Sequence, residues 1–426
     1  MRCRILKRLT FERQDMRIVG AAALLCAVTA ACLPRSRSMA GTESVHHLIL
    51  AEQVNLLDTL AREPMLVEDI SGALFVGGYN RRRPGLWKST DRGHTWARVD
   101  VGTAEQGAIG NSDLDLAIGP DGALYFVTLT YDAATGAGLQ VAVGVSHDAG
   151  ASWHWTTLSR VRFVDRPWVA TSDGSVHVVW SDDRGVSHAR TTDGGLTWLG
   201  TGRIHDRGGS SHLAIGPRDE IAVRISPGAA AGNKCDEDTD IIAVSADAGV
   251  TWRKYPAPGS PRPSGCQQHP TEIQRWVDPL AWSADGTLNA LWTDSAGVRL
   301  SRSVDRGTTW TTSTIVPRRN GDSTPYFPYL TARGRAELGA TWITGTEDGL
   351  QWHAAIIDAR DASPPRVQES RPMYLDSRTG TPPRTDAGGE YLAARFLSDG
   401  TLGVVTAIQN KALGRLGFTL WRFRKQ

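Results

Sequence analysis

Apolar and polar positions alternate along most of this chain in short runs, and the runs break at Asp-Gly. Residues 118–129 (IGPDGALYFVTL), 170–181 (ATSDGSVHVVWS), 281–293 (AWSADGTLNALWT) and 396–407 (FLSDGTLGVVTA) share one form. Each has an apolar stretch, a D-G pair and a second alternating apolar stretch. Residues 67–79 are similar, and 215–225 and 331–342 are looser copies. A period-two pattern interrupted by D-G signals a β-hairpin, because the tight turn needs residues that tolerate positive φ. No long helical period stands out after residue 62.

A second motif recurs between the hairpins. It runs Ser89 to Trp96 (STDRGHTW), Ser146 to Trp153, Thr191 to Trp198, Ser245 to Trp252 and Ser303 to Trp310. All five fit S/T-x-D-x-G-x-S/T-W. Their aspartates, Asp91, Asp148, Asp193, Asp247 and Asp305, are 57, 45, 54 and 58 positions apart. A period near fifty belongs to repeat architectures. Asp and Ser side chains hold a turn by bonding nearby backbone N–H groups. The Gly accepts positive φ, and the Trp gives the next strand a large apolar face. The five aspartates are therefore expected to be structural corners.

Together the motifs define a unit of strand, D-G turn, strand, loop, strand, Asp corner, strand. Four antiparallel strands repeated radially make a β-propeller. The fold class is all-β, with four-stranded antiparallel blades. Blade starts fall near Met65, Asp113, Pro167, His212, Val277, Tyr326 and Tyr391, giving seven blades. Six, with one start demoted to an extra hairpin, is the alternative. The sixth unit has lost its corner, and the seventh has three strands' worth of sequence. Residues 46–53 (HHLILAEQ) can supply its missing outer strand and close the ring.

Ahead of the repeats, Ile18 to Leu33 is apolar and flanked by Arg17 and Arg35. Sixteen residues are short for a membrane span and right for a signal segment. It runs into VTAAC, which resembles a bacterial lipoprotein signal with Cys32 as the lipidated residue. This divides the chain into a signal over 1–32, a linker and ring-closing strand over 33–60, and a propeller over 61–426. Since MRIVGAAALLC from Met16 is already a complete signal start, Met16 rather than Met1 is a candidate first residue. The implied location is the bacterial cell envelope, either lipid-anchored through Cys32 or secreted. An oxidising compartment makes a Cys235–Cys266 disulfide the natural reading, with two free thiols as the alternative.

Composition narrows the partners. Lys plus Arg is 47 against 45 Asp plus Glu, a net charge of +2, which argues against a nucleic-acid footprint. Gly 45 and Trp 15 suit turn-rich β structure. No zinc spacing involves His46, His47 or His212, no cofactor motif appears, and a monomer is expected. The acidic run Asp236 to Asp240 reads as a solvated loop, with Ca²⁺ as its alternative. Arg81, Arg82 and Arg83 likewise read as a solvated loop, with glycan or phosphate contact as the alternative.

Propeller geometry puts the Asp corners on one face. Loops leading into the innermost strands open on the other, at the channel mouth. The residues expected there are polar: Arg62, Glu63, Asp113, Asp115, Asp165, Arg166, Trp168, His212, Arg275, Asp278, Tyr326, Tyr329, Glu390, Tyr391 and Arg395.

The S-x-D-x-G-x-T-W corner resembles the Asp box, or BNR repeat, of sialidases and related propellers, over about residues 60 to 425. The segment DRPWVATSDGSVHVVWSDD (165–183) is similar to the D-R/K-P-W segment of exported bacterial sialidase-like proteins. The resemblance implies a carboxylate clamp from Arg166, Arg275 and Arg395. It implies Tyr391 or Tyr326 as nucleophile beside Glu390 or Glu272, and Asp113 or Asp165 as general acid. The F/Y-R-I-P motif of the family's first arginine has no counterpart here; Arg62 and Pro64 flank Glu63, with no aromatic before the arginine. The leading expectation is therefore a propeller that binds a glycan or an envelope protein at the mouth. An active exo-sialidase-type hydrolase is the alternative.

Overall fold

The computed structural model describes residues 47–80, 82–227, 240–259, 277–346, 349–360, 364–374, 391–410 and 413–426. They form seven small antiparallel sheets, each four strands deep, arranged as the blades of a seven-bladed β-propeller. Innermost strands of blades 1 to 7 are Arg62–Glu68, Leu114–Ile118, Asp165–Thr171, Gly209–Ile215, Leu280–Trp282, Tyr326–Arg333 and Ala394–Phe396. Among the described residues helical structure is limited to short 3-10 pieces such as the single turn Ala104–Gln106.

The hairpin patterns fold as their alternation requires. In blade 3, Val176–Asp182 pairs with Asp165–Thr171 on one side and Gly185–Thr191 on the other. Such a strand is buried on both faces, so its apolar run is nearly continuous. The ring closes between ends of the chain. Ile49–Leu57 lies antiparallel to Arg415–Arg424 as the outer strand of blade 7. Glu52 binds Arg422 at 2.8 Å, and Asn55 accepts from Thr419 at 2.7 Å. Blade 6 differs: its outer strand is broken into Arg366–Glu369 and Met373–Tyr374, both paired with Gly349–Asp358. Pro372 sits in the break, where a residue without an N–H cannot donate to the ladder.

The five corners repeat one hydrogen-bond scheme. At Asp148, Oδ1 accepts Ser146 Oγ at 2.8 Å and Ser152 N at 2.8 Å, Oδ2 accepts Ser152 Oγ at 2.5 Å, and Gly150 N donates to Ser146 Oγ at 2.8 Å. These bonds favour the ionised carboxylate; the Ser152 hydroxyl leads them in pulling Asp148 down to about 2. The corner glycine also lies against the preceding blade. A Cβ on Gly93 would meet Leu420, one on Gly195 would meet Val145, and one on Gly249 would meet His188. Trp96 packs edge-on against Phe418 at 5.0 Å, tying blade 1 to blade 7. The repeat is therefore a blade-to-blade joint as well as a turn.

Candidate functional site

Three innermost strands begin with the same backbone device on the mouth face. Arg62-Glu63-Pro64, Asp165-Arg166-Pro167 and Tyr326-Phe327-Pro328 each place a residue before proline at positive φ: Glu63 48°, Arg166 48°, Phe327 53°. Residues before proline favour extended backbone, and bulky side chains avoid positive φ. The pairing register breaks at the same point in each strand. Such conformations cost about 1–3 kcal/mol each and cluster at functional sites. Here the bulge turns Glu63, Arg166 and Phe327 inward, leaving them 8%, 9% and 5% exposed.

Below the bulges an aromatic layer spans the ring. Trp168 of blade 3 lies 5.3 Å from Tyr391 of blade 7 and 5.6 Å from His212 of blade 4. Tyr391 lies 6.3 Å from Tyr329 of blade 6. Tyr391 and Tyr329 are 3% and 1% exposed. Burial pushes both hydroxyls well above the usual phenol range. The charges of Asp113 and Glu63 add to this at Tyr391, those of Asp278, Glu63 and Asp115 at Tyr329, and Arg166 opposes it at both. Tyr79 is raised in the same way, first by burial and then by Glu63 and Asp113.

His212 occupies the axis beneath this layer. Its Nε2 is 2.9 Å from Asp115 Oδ2, and its Nδ1 is 3.7 Å from Asp278 Oδ1 and 2.8 Å from Leu213 O. The Nε2 contact with Asp115 is an ion pair without hydrogen-bond alignment. Asp115 is itself held by the N–H groups of Leu116 and Val169, each at 2.8 Å. Burial alone would lower the imidazole's proton affinity, but Asp278 and Asp115 together outweigh it and raise His212 to about 9. Burial raises Asp278 to about 6, with the His212 charge pulling the other way. On the turn face, a cavity of about 400 Å³ reaches up to His212 and Asp278, with Arg395, Glu68 and Thr171 in its wall. Among the described residues no group of three or more His, Cys, Asp or Glu is placed to hold a metal ion.

The expected site residues separate in this geometry. The charges of Asp113, Glu63 and Arg166 all act on Tyr391 at the mouth layer. Asp165 is exposed and accepts Arg166 N at 3.0 Å. Tyr326 is half-buried on Phe327, at 5.0 Å, and burial raises its hydroxyl. Arg395, expected among the residues at the mouth, is instead next to last in the ladder of its strand, at the turn end, where its Nε donates to Leu66 O at 3.1 Å. Arg166 stands at the opposite end of its own strand, so the two arginines do not form one clamp. The sequence hid this because Arg395 follows the start of the blade closely, yet the paired strand begins only at Ala394. Arg275, Glu272, Glu390, Cys32, Cys235 and Cys266 lie outside the described residues. The positive φ at Glu63, Arg166 and Phe327 was not foreseen, although the recurring proline at the third position was visible.

No protein family matches the chain's sequence, and no curated protein matches it. Solved structures do. The virginiamycin B lyase of Staphylococcus aureus, a catalytically inactive form solved with quinupristin, aligns at a TM-score of 0.54 and 13% identity, over 88% of this chain and 99% of the other. The polysaccharide lyase Uly1 aligns at 0.52 and 12% identity, over 88% and 99%. A Trypanosoma rangeli sialidase aligns at 0.44 and 13%, over 87% and 57%. The fold is one shared with the two lyases.

Proposed function

We propose that the chain is an exported propeller of the bacterial envelope, lipid-anchored at Cys32 or secreted, that binds a glycan at the channel mouth without cleaving it. The observation that carries this reading is the layer at the mouth. Strained backbone holds Glu63 and Arg166 inward from different blades, and Asp113 joins them. That combination of carboxylates and a guanidinium suits sugar hydroxyls and acidic groups. The same layer argues against Tyr391 as a hydrolytic nucleophile. Tyr391 and Tyr329 are shut beneath it with their hydroxyls raised, whereas a nucleophile must be exposed and activated. The separation of Arg166 from Arg395, two of the three arginines expected in the carboxylate clamp, weighs against an exo-sialidase.

Calorimetric titration with sialylated, uronic-acid and neutral oligosaccharides tests the reading. Binding is expected to at least one, and Arg166→Gln is expected to weaken it at least tenfold. Binding untouched by Arg166→Gln would place it elsewhere, and capture of an envelope protein without any sugar binding would replace glycan by protein. A fluorogenic sialoside is expected to show no turnover; turnover that Tyr391→Phe abolishes would restore the hydrolase.

A further inference from the structure

A groove of about 700 Å³ runs between blades 1 and 2, away from the axis. Arg82, Arg83, Arg98 and Asp100 line it, together with Ala104 and Asn111. Asn80 Oδ1 accepts the N–H groups of Arg82 at 3.0 Å and Arg83 at 3.2 Å, which fixes the loop that presents them. The Arg98 guanidinium lies over Trp87, 5.6 Å from the ring centroid, and Trp87 Nε1 donates to Asp58 at 2.8 Å.

The arrangement concentrates like charge. Burial and then the charge of Arg83 lower the proton affinity of Arg98, with Asp58 opposing. Among the described residues none of the three arginines makes an ion pair. Several arginines elsewhere are paired, as in Arg203 with Asp182 at 3.2 Å, Arg218 with Glu220 at 2.8 Å and Arg319 with Glu369 at 2.8 Å. The carboxylate in the groove wall, Asp100, already accepts Gly102 N at 3.0 Å. Three guanidinium groups around one concavity focus positive potential there.

We propose that this groove is a second sugar site, taking the carboxylate or sulfate ester of an acidic polysaccharide between Arg82, Arg83 and Arg98. The inference rests on the sugar-binding reading above and extends it to a separate surface. Guanidinium forks match both oxyanions, and the volume suits one or two sugar rings. Single-stranded nucleic acid fits less well, because base stacking needs an open aromatic face and Trp87 is 1% exposed.

The test titrates the full chain with a galacturonate hexamer, a heparin-derived hexasaccharide and maltohexaose, at two salt concentrations. Arg166→Gln, which removes the mouth's contribution, is expected still to bind an acidic hexasaccharide through the groove, more weakly at high salt, and to ignore maltohexaose. The double variant R82Q/R83Q, on an exposed loop, is expected to lose at least tenfold, and R98Q to lose a similar factor. The stronger of the two acidic probes identifies carboxylate or sulfate. Absent acidic binding, or binding unchanged in R82Q/R83Q, overturns the groove. If Arg166→Gln alone removes glycan binding, the mouth stands and the groove falls. If only the groove variants matter, the groove stands and the mouth falls.

Discussion

At the scale of single residues, the Asp corner shows how adjacent positions carry opposite constraints. In D-x-G, both x and Gly take positive φ. In the fourth corner these are Ala248 at 55° and Gly249 at 83°. Alanine is strained there, but nothing forbids a smaller residue. Glycine is required twice over, since a Cβ at Gly249 would stand 2.1 Å from His188 Cε1. His188 cannot easily move, because Thr201 Oγ1 holds its Nδ1 at 2.5 Å and His177 its Nε2 at 3.1 Å. Gly249→Ala is expected to destabilise by about 2–4 kcal/mol through backbone strain and overpacking. Ala248→Gly is expected to be neutral or to stabilise by up to about 1 kcal/mol. Urea midpoints of the two variants measure this; equal signs would mean that the corner's φ values contribute nothing to stability. The corner's Asp and Gly were legible in the sequence because they repeat. Its contact with the preceding blade was not, because the partner differs at each copy: Leu420, Val99, Val145, His188 or Tyr255.

At the scale of elements, the strands and their order could be read because each blade is a local meander of hairpins. What could not be read was where strands begin at the axis. Arg395 was placed at the mouth by its nearness to Tyr391, yet the paired strand opens only at Ala394. The X-Pro bulges are the reverse case: the prolines were visible, but their effect on φ depends on the partner strand's register. The ring closure rests on one element. Ile49–Leu57 covers the edge of Arg415–Arg424, and without it a long strand edge lies open to other chains. A chain beginning at Asp58 is expected to lose about 5 kcal/mol or more from the ladder and its side-chain bonds. Lowered Tm and concentration-dependent association would show it. Supplying residues 47–57 as a separate peptide should restore both; a truncated chain as stable as the parent would mean that blades 1 and 7 hold the ring without the strand.

At the scale of the whole molecule, the buried histidines divide between the axis and the blades with opposite pH behaviour. His177 and His188 stack inside blade 3 with their rings 5.3 Å apart. Burial lowers His177 to about 4 and His188 to about 3, helped by Arg190 at both. Their contribution is present above pH 6.5 and is lost as pH falls toward those values, because the unfolded chain takes up protons that the folded chain refuses. Asp278, raised to about 6, works the other way over part of that range, but it is one group against two. His212 is raised to about 9, so its contribution is full below pH 6.5 and disappears as pH rises through 9. Stability should therefore be greatest near neutrality and fall on both sides. The alkaline fall belongs to the axis, where His212 joins blade 4 to Asp115 of blade 2 and Asp278 of blade 5. His212→Asn keeps the side chain's size but leaves buried Asp115 and half-buried Asp278 without their cation, expected to cost about 3–5 kcal/mol at pH 7.5. At pH 5 the cost should shrink, because Asp278 can then be protonated, and at pH 10 wild type and variant should converge. Urea midpoints of both proteins at the three pH values measure it. A variant penalty that is the same at all three would show that His212 acts by packing against Trp168 rather than by its charge.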